Sequence, residues 1–149
     1  MSRTSSVVVL FLVASFMISP SQRPLCAVEP AVVAMAPVKL TTVEENLVHY
    51  TNLQRKRHGL PPLEASHALM QSSRKHARWM TRAGSLTHAR QNVGENIAMG
   101  QSTSQEAVKA WMASPGHRAN MLSRSYRSIG AAAYRTSAGT IYWCLQFQR

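Results

Sequence analysis

The chain has 149 residues, with 17 Lys or Arg against six acids, and its formal net charge is +11 at pH 7. That length supports one domain with one modest core, and its two cysteines allow at most one disulfide and exclude a cysteine-based zinc site. The positive excess favours anionic partners such as lipid headgroups or acidic polymers; no basic run is interleaved with aromatic residues, so nucleic acid is not favoured.

Arg3 precedes an apolar run, VVVLFLVASFMI, over residues 7–18. As a helix it would be about 18 Å long, short of the ~30 Å hydrocarbon core of a bilayer. A charged start, a short apolar run and polar residues after it form the pattern of a secretory leader over residues 1–27, with Ala27 as a candidate last residue. Residues 28–40 then read as a Pro-rich linker: Pro20, Pro24, Pro30 and Pro37 follow the apolar run at a density that argues against helix or sheet. If Cys26 leaves with the leader, Cys144 has no partner.

Residues 41–149 form the expected domain. TVEENLVHYTNLQRKRHG predicts a helix from Thr42, with Thr42 and Glu45 as a capping box and Val43, Leu47, Tyr50 and Leu53 on one face. Arg55, Lys56 and Arg57 suit its last turn, and Gly59 its end. SHALMQSSRKHARWMTRAG predicts a second helix, capped by Ser66, with Leu69, Ser73, His76 or Ala77, and Met80 on one face and Gly84 as its stop. SLTHARQNVGENIAMG has no helical period and reads as a loop with a short extended piece at Asn96–Ala98. STSQEAVKAWMA predicts a third helix, stopped by Pro115. A short fourth helix follows to about Leu122, with Ser114 as N-cap and Pro115 in the first helical position. Its third position is His117, where free backbone N–H groups disfavour the imidazolium. SIGAAAYRT and GTIYWCLQFQ predict two strands, and in the second Ile141, Trp143, Leu145 and Phe147 alternate with Tyr142, Cys144, Gln146 and Gln148. Helices followed by a hairpin give an α+β domain.

Residue types limit the chemistry. His49 and His58 are nine apart, as are His67 and His76, and neither spacing puts two ligands on one helix face. There is no HExxH motif, no Asp to orient a serine-based triad, and Cys144 lies mid-strand among apolar neighbours, where a thiol is inert. His88, Glu95 and His117 remain, in the loop and at a helix start where functional groups gather, with Glu106 as an outsider.

HARQNVGENIAMG, AWMASPGHRANML and IGAAAYRTSAGTIYWCLQF, in this order, resemble the CAP superfamily. This is the SCP domain of cysteine-rich secretory, antigen five and pathogenesis-related proteins, and the SPGHR form resembles its compact, disulfide-poor branch common in bacteria. The resemblance runs over roughly residues 43–148. It implies a three-layer α-β-α sandwich with a central antiparallel sheet, and a cleft lined by two His and two Glu. His88, Glu95 and His117 match three of these. The fourth acid falls at Ser114, and Glu106 stands eight residues away, about 12 Å along a helix, too far to replace it. The resemblance thus implies a cleft of His88, Glu95, His117 and Ser114. There His88 and His117 could hold a divalent ion such as zinc weakly, with water activated beside Glu95 in a hydrolase reading.

Three functions are open on this basis. The first is a secreted, non-catalytic module for an extracellular ligand. The second is a basic effector directed at lipid or membrane, of sterol-binding or antimicrobial type. The third is a metal-assisted hydrolase. The expected location is extracellular, or periplasmic in a Gram-negative source, with lipid, sterol or an anionic polymer as partner.

Overall fold

The structure, a computed structural model, describes residues 39–149. The expected leader, its end at Ala27, Cys26 and the linker up to residue 38 lie outside the described residues. The elements in chain order are α1 (Thr42–Arg57), β1 (Glu64–Ala65), α2 (His67–Ala83), β2 (Gly94–Met99), α3 (Ser104–Ala113), α4 (Pro115–Met121), β3 (Ser128–Arg135) and β4 (Ile141–Gln148).

The capping box of α1 sits one residue earlier than the sequence pattern indicates. Thr41 is the N-cap: its Oγ1 accepts from Glu44 N at 3.4 Å, and Glu44 Oε2 accepts from Thr41 N at 2.8 Å. The reason is tertiary. With Glu44 turned inward, its carboxylate also receives Arg74 of α2, Nε on Oε1 and Nη2 on Oε2, both at 2.6 Å, a bidentate pair that Glu45 could not make from the outer face. The inner face of α1 is consequently Glu44, Leu47, Thr51 and Arg55, while Val43 is 42 % exposed. Ser66 is the N-cap of α2 as expected, yet its side chain makes no cap hydrogen bond. The buried face of α2 is Leu69, Met70, Ser73, Ala77 and Met80, and Gly84 closes the helix in the left-handed conformation, φ 60°.

The strands form one sheet in the order β1-β3-β4-β2. The three long strands pair antiparallel, as the fold expectation requires. β1, which sequence patterning does not show, adds a two-residue parallel pair on the outer side of β3, so the sheet is mixed. β2 extends over six residues rather than the three expected, because its whole length finds partners on β4, from Gly94 opposite Phe147 to Met99 opposite Tyr142.

Alternation along β4 divides the core into two layers of contact. Trp143, Leu145 and Phe147 pack with Leu47 of α1, Trp111 of α3 and Met121 of α4. Tyr142 and Cys144 face Ala77 and Met80 of α2. With both faces covered, seven of the eight β4 residues are buried. This is the expected α-β-α sandwich. On the α2 side the approach is at its limit at Gly130, where an added Cβ would collide with the backbone carbonyl of Leu69. Among the described residues, no helix is long and apolar enough to cross a membrane.

Candidate functional site

The site is organised by β2, an edge strand whose alternate residues reach opposite sides of the sheet. Glu95 turns toward α2. Asn96 turns toward α4, where its Nδ2 donates to the carbonyl of His117 at 2.9 Å. Asn120 of α4 donates to Glu95 O at 3.2 Å and to Asn96 Oδ1 at 3.0 Å. These bonds fasten the helix that carries His117 to the strand that carries Glu95. Trp111 adds a further tie, its indole N–H donating to Ile97 O at 3.0 Å.

The Glu95 side chain is 5 % exposed and surrounded by donors. His88 Nδ1 lies 2.8 Å from Oε1, and Ala89 N donates to the same oxygen at 2.9 Å. Gln146 Nε2 donates to Oε2 at 2.9 Å, and the Cys144 thiol lies 3.9 Å from that oxygen. A carboxylate only accepts, so in the neutral ring the proton of His88 is on Nδ1 and the lone pair on Nε2. The His88 side chain is 60 % exposed, so a pinned ring presents a nitrogen to solvent.

His117 is the third residue of α4 and half-buried. Burial lowers its pKa, and the nearby charge of His88 lowers it further. Both effects favour a neutral imidazole. Ser114 is the N-cap of α4, with Pro115 first in the helix, but its hydroxyl makes no cap bond; the backbone carbonyl takes Arg118 N at 2.8 Å instead. Glu106 stands apart, its Oε2 accepting from Ser102 N at 2.9 Å at the start of α3.

Its spacing from His67 leaves His76 a surface or partly packed helix residue in the sequence, and its side chain is 10 % exposed. It also belongs to the site. Its Nε2 donates to Thr87 O at 2.8 Å and lies 3.8 Å from Glu95 Oε2. Gln146, Asn96 and Asn120 likewise carry no site signature in the sequence. The alternation of β4 places Gln146 on the same face as Cys144, but only the β2–β4 register sets it opposite Glu95. A pocket of about 370 Å³ opens beside His88, lined by His76, Trp79, Thr87, His88 and Arg90 among others; of the expected cleft residues, His88 alone lines it.

Chemically, the arrangement is a buried carboxylate that orients one imidazole, beside a second imidazole kept neutral. Among the described residues, no three His, Cys, Asp or Glu side chains are grouped to hold a metal ion. Cys144 is a free thiol, fully buried, and burial together with the Glu95 charge pushes its pKa well up.

Comparison with known proteins gives a match to the cysteine-rich secretory protein family, CAP, over residues 48–147. The protein YkwD of Bacillus subtilis is 32 % identical over 144 residues, covering 85 % of this chain and 55 % of its own. The chain thus spans about half the length of that relative. Among solved structures, an extracellular protein containing an SCP domain from Bacillus anthracis superposes with a TM-score of 0.63 at 22 % identity, over 75 % of this chain and 45 % of that one. NaASP2, solved with Zn²⁺, superposes with a TM-score of 0.60 at 14 % identity, over 70 % and 78 %. At such identities the structural likeness concerns the fold alone.

Proposed function

The chain belongs to the cysteine-rich secretory protein family, and on that premise we propose that it is an exported, non-catalytic extracellular binding module. In this reading residues 1–27 are a leader, 28–40 a linker, and the domain cleft holds a divalent cation weakly on His88 and His117. The observation that carries it is the bonding of Glu95. Both carboxylate oxygens are occupied, Oε1 by His88 Nδ1 and Ala89 N, Oε2 by Gln146 Nε2. A carboxylate so engaged and buried positions a ring; it is poorly placed to take a proton from water. His88 offers Nε2, and His117 is biased to the neutral form that a ligand must have.

With Ser114 where a second acid would stand, two neutral ligands support only a weak site. The expected zinc affinity is no better than micromolar, about −8 kcal/mol. Titration calorimetry with zinc tests this. Binding should weaken as the pH falls and protons compete with the metal for the imidazoles, and His88→Ala and His117→Ala should each abolish it. Zinc binding by both variants at the parent level would overturn the assignment, and so would its absence in the parent.

A further inference from the structure

The outer face of α2 is basic and is not used by the site above. Its 17 residues include Arg74, Lys75, Arg78 and Arg82 and no acid. Arg74 is engaged by Glu44. Among the described residues no carboxylate lies within 4 Å of Lys75, Arg78 or Arg82. These three recur at helical spacings of three and four, a cationic stripe about 10 Å long.

Beside the stripe runs a groove of about 540 Å³, walled by these side chains, Trp79 and Tyr134. Arg78 is fixed in it: its guanidinium carbon lies 5.1 Å from the Tyr134 ring centroid, and Nη2 donates to the Tyr134 hydroxyl at 3.2 Å. Trp79 is 48 % exposed and stacks on the His76 ring, centroids 5.7 Å apart and planes 11° from parallel. One face of the indole is covered and the rest is open. The same Trp79 lines the pocket that contains His88 and Arg90, so the groove and that pocket meet at this side chain.

We infer that this groove binds a linear acidic polysaccharide. Its carboxylate or sulfate groups sit on Lys75, Arg78 and Arg82, and one sugar ring lies against Trp79. Charge selects the polyanion, and Arg supplies the planar fork that matches an oxyanion. A concave wall with one flat apolar ring suits a sugar chain. Single-stranded nucleic acid uses successive open aromatic faces, and here the Tyr134 ring is occupied by Arg78. A membrane face presents a row of apolar side chains, whereas Trp79 is the only large apolar residue exposed on α2. None of the groove cations is a cleft histidine, so the inference stands apart from the zinc reading.

Fluorescence anisotropy of the full chain with labelled oligogalacturonate (carboxylate) and labelled heparin oligosaccharide (sulfate), zinc chelated throughout, tests it. Binding of at least one probe is expected, and the tighter probe identifies the anion. The double variant Lys75→Ala, Arg82→Ala should weaken it about tenfold. Trp79→Ala, which leaves the charge unchanged, should weaken it about fivefold, and Trp79→Phe less. Removing two charges elsewhere, Lys109→Ala with Arg124→Ala, should change it less than about twofold. Three results would overturn the inference: binding of neither probe; equal weakening by both double variants with no effect of Trp79→Ala; or tighter binding, through the same residues, of a single-stranded oligonucleotide or of phosphatidylserine vesicles.

Discussion

Gln146 stands directly across the β2–β4 ladder from Glu95, and its fully buried amide donates to Oε2 at 2.9 Å. The pair makes the carboxylate tolerable inside the sandwich, since a buried acceptor without a donor costs about 1–3 kcal/mol. Gln146→Leu strands Oε2 but also removes Gln146 Oε1, a buried acceptor without a partner, so it should lower unfolding stability by at most about 1–3 kcal/mol, read by thermal or denaturant unfolding. Gln146→Glu, which sets a second carboxylate against the first, should lose more at neutral pH and recover part of the loss in acid. If Gln146→Leu unfolds like the parent, the lost donor to Glu95 is offset by removal of the unpartnered Gln146 Oε1.

His117 gives the fold a pH dependence with a definite sign. Burial, then the charge of His88, lowers its pKa below the ordinary value. Between that lowered value and the unfolded value near 6.5, the unfolded chain binds the proton more readily than the folded one. Stability should accordingly fall as pH drops below about 6.5. His117→Gln should flatten the slope of thermal midpoint against pH in this window; an unchanged slope would assign the titration to another group.

Cys144 is fully buried between the sheet and α2, and the Glu95 carboxylate opposes its ionisation. Labelling by a thiol reagent should be slow in native buffer at neutral pH and rapid in denaturant, because the thiolate is the reactive form. Rapid native labelling would show that the α2 layer opens easily.

Arg55 is fully buried without a carboxylate within 4 Å among the described residues. It donates to three carbonyls: Nε to Pro61 O at 2.9 Å, and Nη1 to Met121 O at 2.8 Å and Ser123 O at 2.9 Å. Burial and the charge of Arg127 both press its pKa down. Two of its acceptors lie at the end of α4, so the residue ties α1 to the helix that holds His117. Arg55→Met keeps an apolar stem and strands the carbonyls, and should destabilise the fold by about 2–5 kcal/mol. Hydrogen exchange should show α4 losing protection first. A neutral effect would mean that water or the relaxed backbone satisfies those oxygens.

Several of these relationships have local sequence signatures and several do not. The face of α2 is legible because Leu69, Ser73, Ala77 and Met80 recur with the helical period, and the two faces of β4 are legible from strict alternation. The break before α4 follows from Pro115. What stays hidden depends on partners far along the chain. Thr41 and Thr42 offer equivalent capping patterns, and only Arg74, thirty residues on, decides between them. β1 is two residues long and exists through its pairing with β3. Glu95 is visible as a candidate, but its role is set by Gln146, 51 positions away, and by His76 from the opposite layer.

At Gly130 the missing methyl group lets the α2 backbone rest against β3. Two things hang on that separation: the reach from His76 on the helix to Glu95 on the sheet, and the way Arg78 meets Tyr134 across the groove. A single carbon at this position would lift the whole layer outward, like a shim under a plate. The polar chemistry of the cleft and the shape of the basic groove would then change together, with no polar residue altered. In this domain the calibration of the site lies in its least chemical residue.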